Sequence, residues 1–500
     1  MKKCLLSIVA LFCGLMPLKA QRNDHPNIIL IVSDDHGRAD MGCYGNQVIQ
    51  TPSIDALARE GIRFENAYCT TASCSASRSV IMSGMYNHAT GHYGHEHAYH
   101  HFATYDHILS LPVMLEQFAD YKTARIGKYH LGPEAVYHFQ QVLQADGRNT
   151  YEMSQRSLAF IEDCGEAPFF LYYCPKDPHR GLHKYPGKFG ANKFGNLEEG
   201  YAGIRTTKYK PEEVSVQPFM PDSKCSREEL AEYYQSISRM DQGMGLLFDS
   251  LKQKGLWDNT LILYLADNGL AFPGAKTNQY QPGINLPLII KNVKQQNAGQ
   301  VTTAFVNWTD LSPTILDLVG VLPKAEARVK KIAKGKPKLN PQSYYKNGFH
   351  GVSFKEVLED PKHFKRENRT FASHTFHEVT MYYPMRTIIT DRYKLIWNVT
   401  SGTPFPHAKD IWNSSTLQEA LASPGQMYGR RSLYDYTFRA EFELFDLKND
   451  PEEAHNLAAN PSYEKVLSDM IQELKAFQQQ TSDPWFQIWE RNEALKEVEM

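Results

Sequence analysis

Two pairs of oxygen-bearing side chains follow apolar runs that are typical of buried strands. Asp34 and Asp35 follow one run, and Asp267 and Asn268 follow another. Because open α/β sheets bind ligands at the carboxyl ends of their strands, we expect the pairs to meet at one edge. Adjacent carboxylates repel each other unless a cation or proton intervenes, and hard oxygen ligands suit Ca²⁺ or Mg²⁺. Either pair alone could be a solvated turn, but together they predict a cation site.

Cys74 and Arg78 form a second group that could do chemistry. Cys74 is expected in a loop leading into a helix around Ser77–Ser83. A helix N-terminus presents free N–H groups and a positive dipole end, which favour an anion such as sulfate, and Arg78 adds a fixed fork of donors. A lone cysteine is more often a small buried apolar residue, and a disulfide between Cys74 and Cys69 stays an alternative.

Cations and proton carriers follow further apolar runs. Lys128 and His130 come just past one run, and His179 follows another in a loop stiffened by prolines. Lys276 lies nine residues beyond Asp267. Each is weak evidence alone, with a surface lysine or a core histidine as the ordinary alternative. Together they predict that cations and titratable groups share one edge of a sheet.

The elements that must position these residues alternate between strands and helices. The predicted strands are Asn27–Val32, Thr123–Ile126, Phe169–Tyr173, Thr260–Leu265 and Leu286–Ile290. Helical patterns lie between them, the longest over Arg227–Lys254. This alternation predicts an α/β sandwich with a large, mostly parallel sheet.

The pattern changes toward the C-terminus. Lys324–Lys346 is rich in charge and proline and is expected to be an exposed loop. Short strands follow after about residue 370, and then a final helix near Tyr463–Gln479. We therefore expect a large catalytic domain over residues 21–370 and a smaller α+β subdomain with an antiparallel sheet over residues 371–500.

The first twenty residues and the overall charge bear on location and partners. Lys2 and Lys3 precede an apolar stretch from Cys4 to Leu18, and Ala20 offers a small residue for cleavage, which predicts a signal peptide over residues 1–20. The stretch is short and broken, so a membrane anchor is the weaker interpretation. We expect export to a bacterial periplasm, with the cell surface or secretion as alternatives. The net charge of −2 gives no basic field for nucleic acid.

The segment from Cys74 to Arg78, CSASR, resembles the C-x-[P/A]-x-R signature of the type I sulfatase family. Lys122–His130 resembles the second signature of that family, whose architecture is similar to the alkaline-phosphatase superfamily. Within the sulfatases the chain is similar to the heparan N-sulfatases, or sulfamidases. The segments that carry this likeness are His100–Phe102, Gly127–Tyr137, Asp177–Arg180, Arg239–Gly243, Thr277–Tyr280, His377–Met381, Tyr383–Arg386 and Asp483–Trp485. Lys276 departs from the pattern, since the sulfamidases carry arginine there.

The resemblance implies a cofactor, a modification and a role for each site residue. Cys74 would be converted to formylglycine by a sulfatase-maturating enzyme, and its hydrate would attack sulfur. One Ca²⁺ ion would be held by Asp34, Asp35, Asp267, Asn268 and residue 74. The sulfuryl oxygens would be held by Arg78, Lys128 and Lys276. His179 would protonate the leaving group, and His130 would take the proton that releases sulfate.

The resemblance also implies a sulfated glycosaminoglycan substrate, with the N-sulfate of terminal glucosamine in heparin or heparan sulfate as the first choice. Candidates for sugar recognition are Asp177, His377, Glu378 and Arg386, for which packing between domains is an equal alternative. Three other functions stay open: an O-sulfatase, a phosphate or phosphonate ester hydrolase, and a non-catalytic glycan-binding protein with Cys74 unmodified. A homodimer also stays open.

Seven histidines lie between His88 and His107. Such a run suggests a transition-metal site, but its spacing fits no zinc pattern. We therefore expect these histidines to line a polar pocket.

Overall fold

The computed structural model describes residues 25–181, 193–293, 297–334, 348–364, 366–425 and 427–496. The predicted leader at residues 1–20 lies outside the described residues. The strands are β1 Asn27–Ser33, β2 Ile62–Phe64, β3 Ala67–Tyr68, β4 Lys122–Gly127, β5 Gln141–Leu143, β6 Phe169–Cys174, β7 Thr260–Ala266, β8 Leu288–Lys291, β9 Gln300–Thr302, β10 Val306–Asn307, β11 Arg369–His374, β12 Met385–Thr390, β13 Tyr393–Asn398, β14 Met427–Tyr428, β15 Arg431–Ser432 and β16 Phe442–Asp446. The α-helices are α1 Pro52–Glu60, α2 Cys74–Ser83, α3 Asn87–Thr90, α4 Leu111–Ala119, α5 Thr150–Cys164, α6 Lys224–Gln253, α7 Gln281–Ile284, α8 Leu311–Leu318, α9 Leu322–Lys334, α10 Lys355–Glu359, α11 Lys409–Trp412, α12 Ser415–Ala422, α13 Leu433–Thr437, α14 Glu464–Thr481 and α15 Phe486–Lys496. Across these ranges, none of the helices has the length and apolar character that a membrane crossing needs.

A mixed sheet lies at the centre of the protein. Within the described ranges it has eight strands, in the order β5-β4-β6-β1-β7-β8-β2-β9. Strands β5, β4, β6, β1 and β7 run parallel to one another. Strand β8 pairs antiparallel with both β7 and β2. The predicted α/β class with a mostly parallel sheet is confirmed, and the predicted strand near Leu286–Ile290 is the one that runs in the opposite direction.

Helices cover both faces of this sheet. Along β1, Ile28, Leu30 and Val32 join the apolar cluster built with α2, α4 and α8. The alternate residues Ile29 and Ile31 join the cluster built with α1, α5 and α6. A strand buried on both faces reads as a continuous apolar run, which is why the sequence pattern identified it. Polar chemistry is consequently confined to the ends of the strands.

The C-terminal part forms a second, smaller sheet. Strands β11, β12, β13 and β16 pair antiparallel in that order. Helices α14 and α15 pack against it, and the rings of Trp397 and Trp489 stack with centroids 3.7 Å apart. The predicted α+β subdomain with an antiparallel sheet is confirmed. Its exact boundary at residue 371 stays a prediction, and the first strand of the sheet begins at Arg369.

The predicted exposed loop over Lys324–Lys346 is wrong in its first part. Residues 324–334 belong to α9, on which Ala325 and Val329 are buried in the core. These two residues are four apart and so lie on one face of the helix. The surrounding charge concealed this short apolar stripe. Residues 335–346 lie outside the described residues.

Candidate active site

The carboxyl ends of β1 and β7 bring the four predicted oxygen-bearing residues together. The strands pair in register up to Ser33 and Ala266. Just beyond these residues, the amide of Asp35 donates to Asp267 Oδ1 at 3.1 Å. Asn268 Nδ2 donates to Asp35 Oδ1 at 2.7 Å. Residues that are distant in sequence therefore form one cluster because their strands are neighbours.

This cluster has the donor set that a hard divalent cation needs. Asp34 Oδ1 and Asn268 Oδ1 are buried, and neither has a hydrogen-bond partner. A buried oxygen without a partner is energetically costly, and a cation would satisfy both. Asp35 adopts a left-handed backbone conformation with φ of 61°, the kind of strain that concentrates at functional sites. The residues present therefore fit Ca²⁺ or Mg²⁺.

Cys74 is the first residue of α2, with Ser73 as the N-cap. The helix thus starts three residues earlier than predicted, and Cys74 lies on it and not in a preceding loop. Cys74 Sγ lies 3.8 Å from Asp35 Oδ1. The thiol is free, and Cys69 instead donates to the carbonyl of Gly283 at 3.7 Å, so the disulfide alternative is wrong. Burial raises the pKa of the Cys74 thiol well above its usual range, which makes the unmodified side chain a poor nucleophile.

The three predicted cations surround the same cluster. Their ion pairs are Lys128 with Asp34 at 2.6 Å, Lys276 with Asp35 at 2.8 Å and Arg78 with Asp267 at 2.9 Å. Burial opposes the ionisation of Asp34, but Lys128 and the other nearby cations together outweigh burial and hold the pKa of Asp34 below its usual value. Burial raises the pKa of Asp35 to about 7 despite Lys276. Arg78 Nη2 is buried without a partner, so a donor remains for an anionic ligand.

The two predicted proton carriers lie on either side of this group. His179 Nε2 is 3.1 Å from Lys276 Nζ, and His130 Nε2 is 2.9 Å from His97 Nδ1. Burial, reinforced by Lys276, holds the pKa of His179 well below its usual value, and burial with Lys128 does the same for His130. Both imidazoles are therefore neutral in the free protein. His130 Nδ1 is buried without a hydrogen-bond partner, so it is available to accept a proton.

Asp410, on α11, is a site residue that the sequence did not reveal. Asp410 Oδ2 lies 2.7 Å from Lys276 Nζ and 3.8 Å from His179 Nε2. Burial opposes its ionisation, but Lys276 holds its pKa below the usual value. No apolar strand precedes it, and 134 residues separate it from Lys276, so spacing gave no signal. It ties the C-terminal part of the chain to the cluster.

Two of the four predicted sugar-binding residues are engaged inside the protein. The buried carboxylate of Asp177 accepts from Arg148 at 2.6 Å and from Arg239 at 2.7 Å. Arg386 is buried and forms two hydrogen bonds to the carboxylate of Asp483. These side chains could contact a ligand only by breaking their internal pairs. The internal pairs favour the alternative of packing for Asp177 and Arg386, and their contact with a sugar stays a prediction.

The other two predicted sugar-binding residues lie nearer to the site. His377 Nδ1 is 2.9 Å from the hydroxyl of Ser73, the N-cap residue of α2. Glu378 is half-buried and accepts from the amide of Lys409 at 3.1 Å. Both positions connect the C-terminal part to the start of α2 or to α11. Their contact with a sugar stays a prediction.

The arrangement of cations and histidines has the donors to bind a tetrahedral anion and the groups to transfer protons. Comparisons with known proteins identify the family of this chain. A model of the sulfatase family matches residues 26–321, more than half of the chain. The chain belongs to the sulfatase family. This sulfatase is 36% identical over 478 residues to the human N-sulphoglucosamine sulphohydrolase, an alignment that covers 92% of this chain and 91% of the relative. It is accordingly a hydrolase of the class that acts on sulfate esters and sulfamates.

More distant relatives support the same fold. An N-acetylglucosamine-6-O-sulfatase of Bacteroides thetaiotaomicron is 24% identical over 554 residues, which covers 93% of this chain and 88% of that protein. A solved structure in complex with its substrate D-glucosamine-2-N,6-O-disulfate superposes with a TM-score of 0.64 at 21% identity. That superposition covers 92% of this sulfatase and 98% of the other chain. Members of the family generally use formylglycine and a divalent metal.

Proposed function

We propose that this sulfatase hydrolyses the N-sulfate of terminal glucosamine in heparin or heparan sulfate. The observation that carries the reaction class is the convergence of three cations and two unpartnered oxygens on Cys74. The choice of the N-sulfate is supported by the human N-sulphoglucosamine sulphohydrolase, which resembles this chain over nearly its whole length.

The proposal includes Ca²⁺ held by the oxygen cluster and a formylglycine made from Cys74 by a maturating enzyme. When present, these groups supply added positive charge and the nucleophilic oxygen. Residue 74, buried at the start of α2, is well placed to carry a nucleophilic oxygen, because the helix N-terminus favours negative charge.

The chain's own cations bind the sulfate group. Lys128 and Lys276 approach the cluster from opposite loops, through Asp34 and Asp35. Arg78 is fully buried and held by three hydrogen bonds, which include one to the hydroxyl of Tyr172. Because these donors are already fixed, little reorganisation accompanies the development of charge on sulfate oxygens.

Two histidines move the protons. His179 is neutral in the free protein because it is buried beside Lys276. A sulfate group bound beside His179 and Lys276 adds negative charge, which raises the pKa of His179 and lets it protonate the leaving nitrogen. His130 is neutral and its Nδ1 has no hydrogen-bond partner, so this nitrogen can accept the proton that accompanies sulfate release.

A panel of defined glucosamine disaccharides tests the bond that is cleaved. Host-matured protein is incubated with N-sulfated, 6-O-sulfated and doubly sulfated substrates, and sulfate release is measured by ion chromatography. We expect release from the N-position and not from a 6-O-sulfated, N-acetylated control. Release from the 6-O-position alone would overturn the proposal in favour of an O-sulfatase, a function supported by the B. thetaiotaomicron relative. Hydrolysis of phosphate or phosphonate esters alone would also overturn it.

Mass spectrometry of the Cys74 peptide separates the enzyme from a glycan-binding protein. We expect the peptide from native-host protein to carry an aldehyde in place of the thiol. The Cys74→Ala variant should fold with an unchanged circular dichroism spectrum but lose sulfate release by at least about a thousandfold. An intact thiol in native-host protein would contradict the catalytic reading.

Export to the periplasm and a homodimer complete the proposal. Cell fractionation of the native host, with N-terminal sequencing of the mature protein, tests the first. Light scattering of the purified protein tests the second.

A further inference from the structure

Three histidines from two loops bring their ring nitrogens together beside the proposed active site. His97 Nδ1 lies 2.9 Å from His130 Nε2. One ring nitrogen from each of His95, His97 and His130 lies within 4.8 Å of the other two. Their ring centroids are each 4.8 Å apart. The run of seven histidines showed no zinc spacing because the third member of this cluster comes from the loop after β4.

The donor set of this cluster differs from that of the oxygen cluster. It offers imidazole nitrogens without a carboxylate, which suits Zn²⁺, Cu²⁺ or Ni²⁺ and not Ca²⁺. His95 is 8% exposed and its Nδ1 has no hydrogen-bond partner, so this buried ring nitrogen is available as a metal ligand. His97 is exposed and leaves a path for an ion to enter.

The closest pair of ring nitrogens already lies near the spacing that a shared ion imposes, and the wider pairs, all within 4.8 Å, would close around the ion. Tetrahedral Zn²⁺ binds nitrogen at about 2.0–2.1 Å, which separates two ligand nitrogens by about 3.3 Å. The contact between His97 and His130 would widen by a few tenths of an ångström. The nearby Lys128 is paired with Asp34 at 2.6 Å, which offsets its repulsion of a second cation.

We propose that His95, His97 and His130 form a second metal site, which takes a transition-metal dication such as Zn²⁺, and that its occupation inhibits the enzyme. A metal bound to His130 Nε2 requires the remaining ring proton to lie on Nδ1. His130 Nδ1 can then no longer accept a proton. The inhibition rests on the proposed function, whereas the binding of the ion does not.

Isothermal titration with ZnCl₂ tests the site directly. The protein is tag-free and saturated with Ca²⁺, in a Cys74→Ala background that removes a competing thiol. We expect one Zn²⁺ per chain, with affinity reduced about tenfold or more in His97→Gln. His101→Gln is the matched control, since His101 is an exposed residue of the same loop, and it should bind as the background does. No saturable binding, or equal affinity in His97→Gln, would overturn the site.

Activity of matured enzyme tests the consequence. With metal-buffered Zn²⁺, the concentration for half inhibition should rise about tenfold in His97→Gln relative to His101→Gln. Full activity with the site occupied would overturn the inhibition. The titration requires no turnover, so absence of N-sulfatase activity would defeat the proposed function while leaving the metal site to be decided by binding.

Discussion

At the scale of single residues, the buried carboxylates of the site outnumber its cations. Four buried carboxylates face three cations: Asp34, Asp35, Asp267 and Asp410 against Arg78, Lys128 and Lys276. An excess of buried negative charge is costly unless it is compensated. A divalent cation held by the cluster would reverse the sign of this excess and would prepare the cluster for an anionic sulfate group.

Asp410 is expected to position Lys276 and His179 without touching the sulfuryl group itself. Asp410→Asn keeps the shape of the side chain but removes the charge that holds the ammonium group at 2.7 Å. We expect kcat to fall about tenfold to a hundredfold, with little change in the circular dichroism spectrum. Steady-state kinetics on the N-sulfated disaccharide measures it. Activity within twofold of wild type would show that Asp410 only packs.

The oxygen cluster is expected to couple cation binding to stability. At a Ca²⁺ concentration a hundred times the Kd, stability should rise by about 2.7 kcal/mol, measured as a higher Tm than in chelator. Asn268→Ala removes the unpartnered Oδ1 and should lose most of this gain. Asn259→Ala is the control, because Asn259 is exposed just before β7 begins. An equal Ca²⁺ effect in Asn268→Ala would contradict the assignment.

At the scale of elements, the strands that carry the site could be predicted to within one or two residues. Strands β1, β6 and β7 are buried along their whole length, so their sequences are continuously apolar and the polar residues that follow them stand out. Strand β4 is less regular, since Lys122 is exposed and Arg125 is half-buried. Asp410 could not be predicted, because it reaches Lys276 only through the packing of α11, and 134 residues separate the two. The internal pairs of Asp177 and Arg386 were also missed, since a motif shows residue types but not which partners occupy them.

Gly127 illustrates how a strand end positions a side chain that is proposed to bind sulfate. It ends β4 with φ of 81°, and a Cβ there would lie 2.0 Å from the carbonyl oxygen of Cys174. That carbonyl accepts from the amide of Lys128 at 2.7 Å, so the close approach fixes where Lys128 begins.

Gly127→Ala should therefore displace Lys128 and lower both activity and stability. We expect a loss of about 2–4 kcal/mol from overpacking and the unfavourable φ, measured by thermal denaturation. Gly45→Ala separates the two causes, because Gly45 also has a positive φ, of 103°, in the left-handed region but open space at its Cβ. It should cost only about 1 kcal/mol. Equal losses in the two variants would refute the proposed crowding.

At the scale of the whole molecule, the small antiparallel sheet is part of the active site's support. His377 and Asp410 both come from beyond residue 370 and reach the start of α2 and Lys276. Arg386 on β12 and Asp483 after α14 join the sheet to its covering helices through a buried ion pair. The folding of the C-terminal part is thus linked to the integrity of the site.

The pair between Arg386 and Asp483 should make stability depend on pH. Burial disfavours the ionised Asp483, but Arg386 outweighs it and holds its pKa below the usual value. A carboxyl whose folded pKa is depressed contributes stability above its unfolded pKa of about 3.9, and this is lost as pH falls further. Asp483→Asn should cost about 3 kcal/mol at pH 7.

Chemical denaturation at several pH values measures that cost. The difference between wild type and Asp483→Asn should shrink as pH falls below about 4. Asp391→Asn is the control, since Asp391 is exposed in the turn between β12 and β13. A difference that does not vary with pH would show that packing, and not charge, accounts for the loss.

The burial of Cys74 determines whether its proposed modification could occur before or after the chain folds. Cys74 has no exposed surface, and every residue of α2 is buried. An enzyme that converts this side chain must enclose it in its own active site, which the folded chain does not allow. The proposed conversion would therefore have to precede folding, and a folded molecule that still carries the thiol would stay unconverted. The converted fraction of a preparation would then depend on the rate of modification relative to the rate of folding. That fraction would not change once the protein has folded.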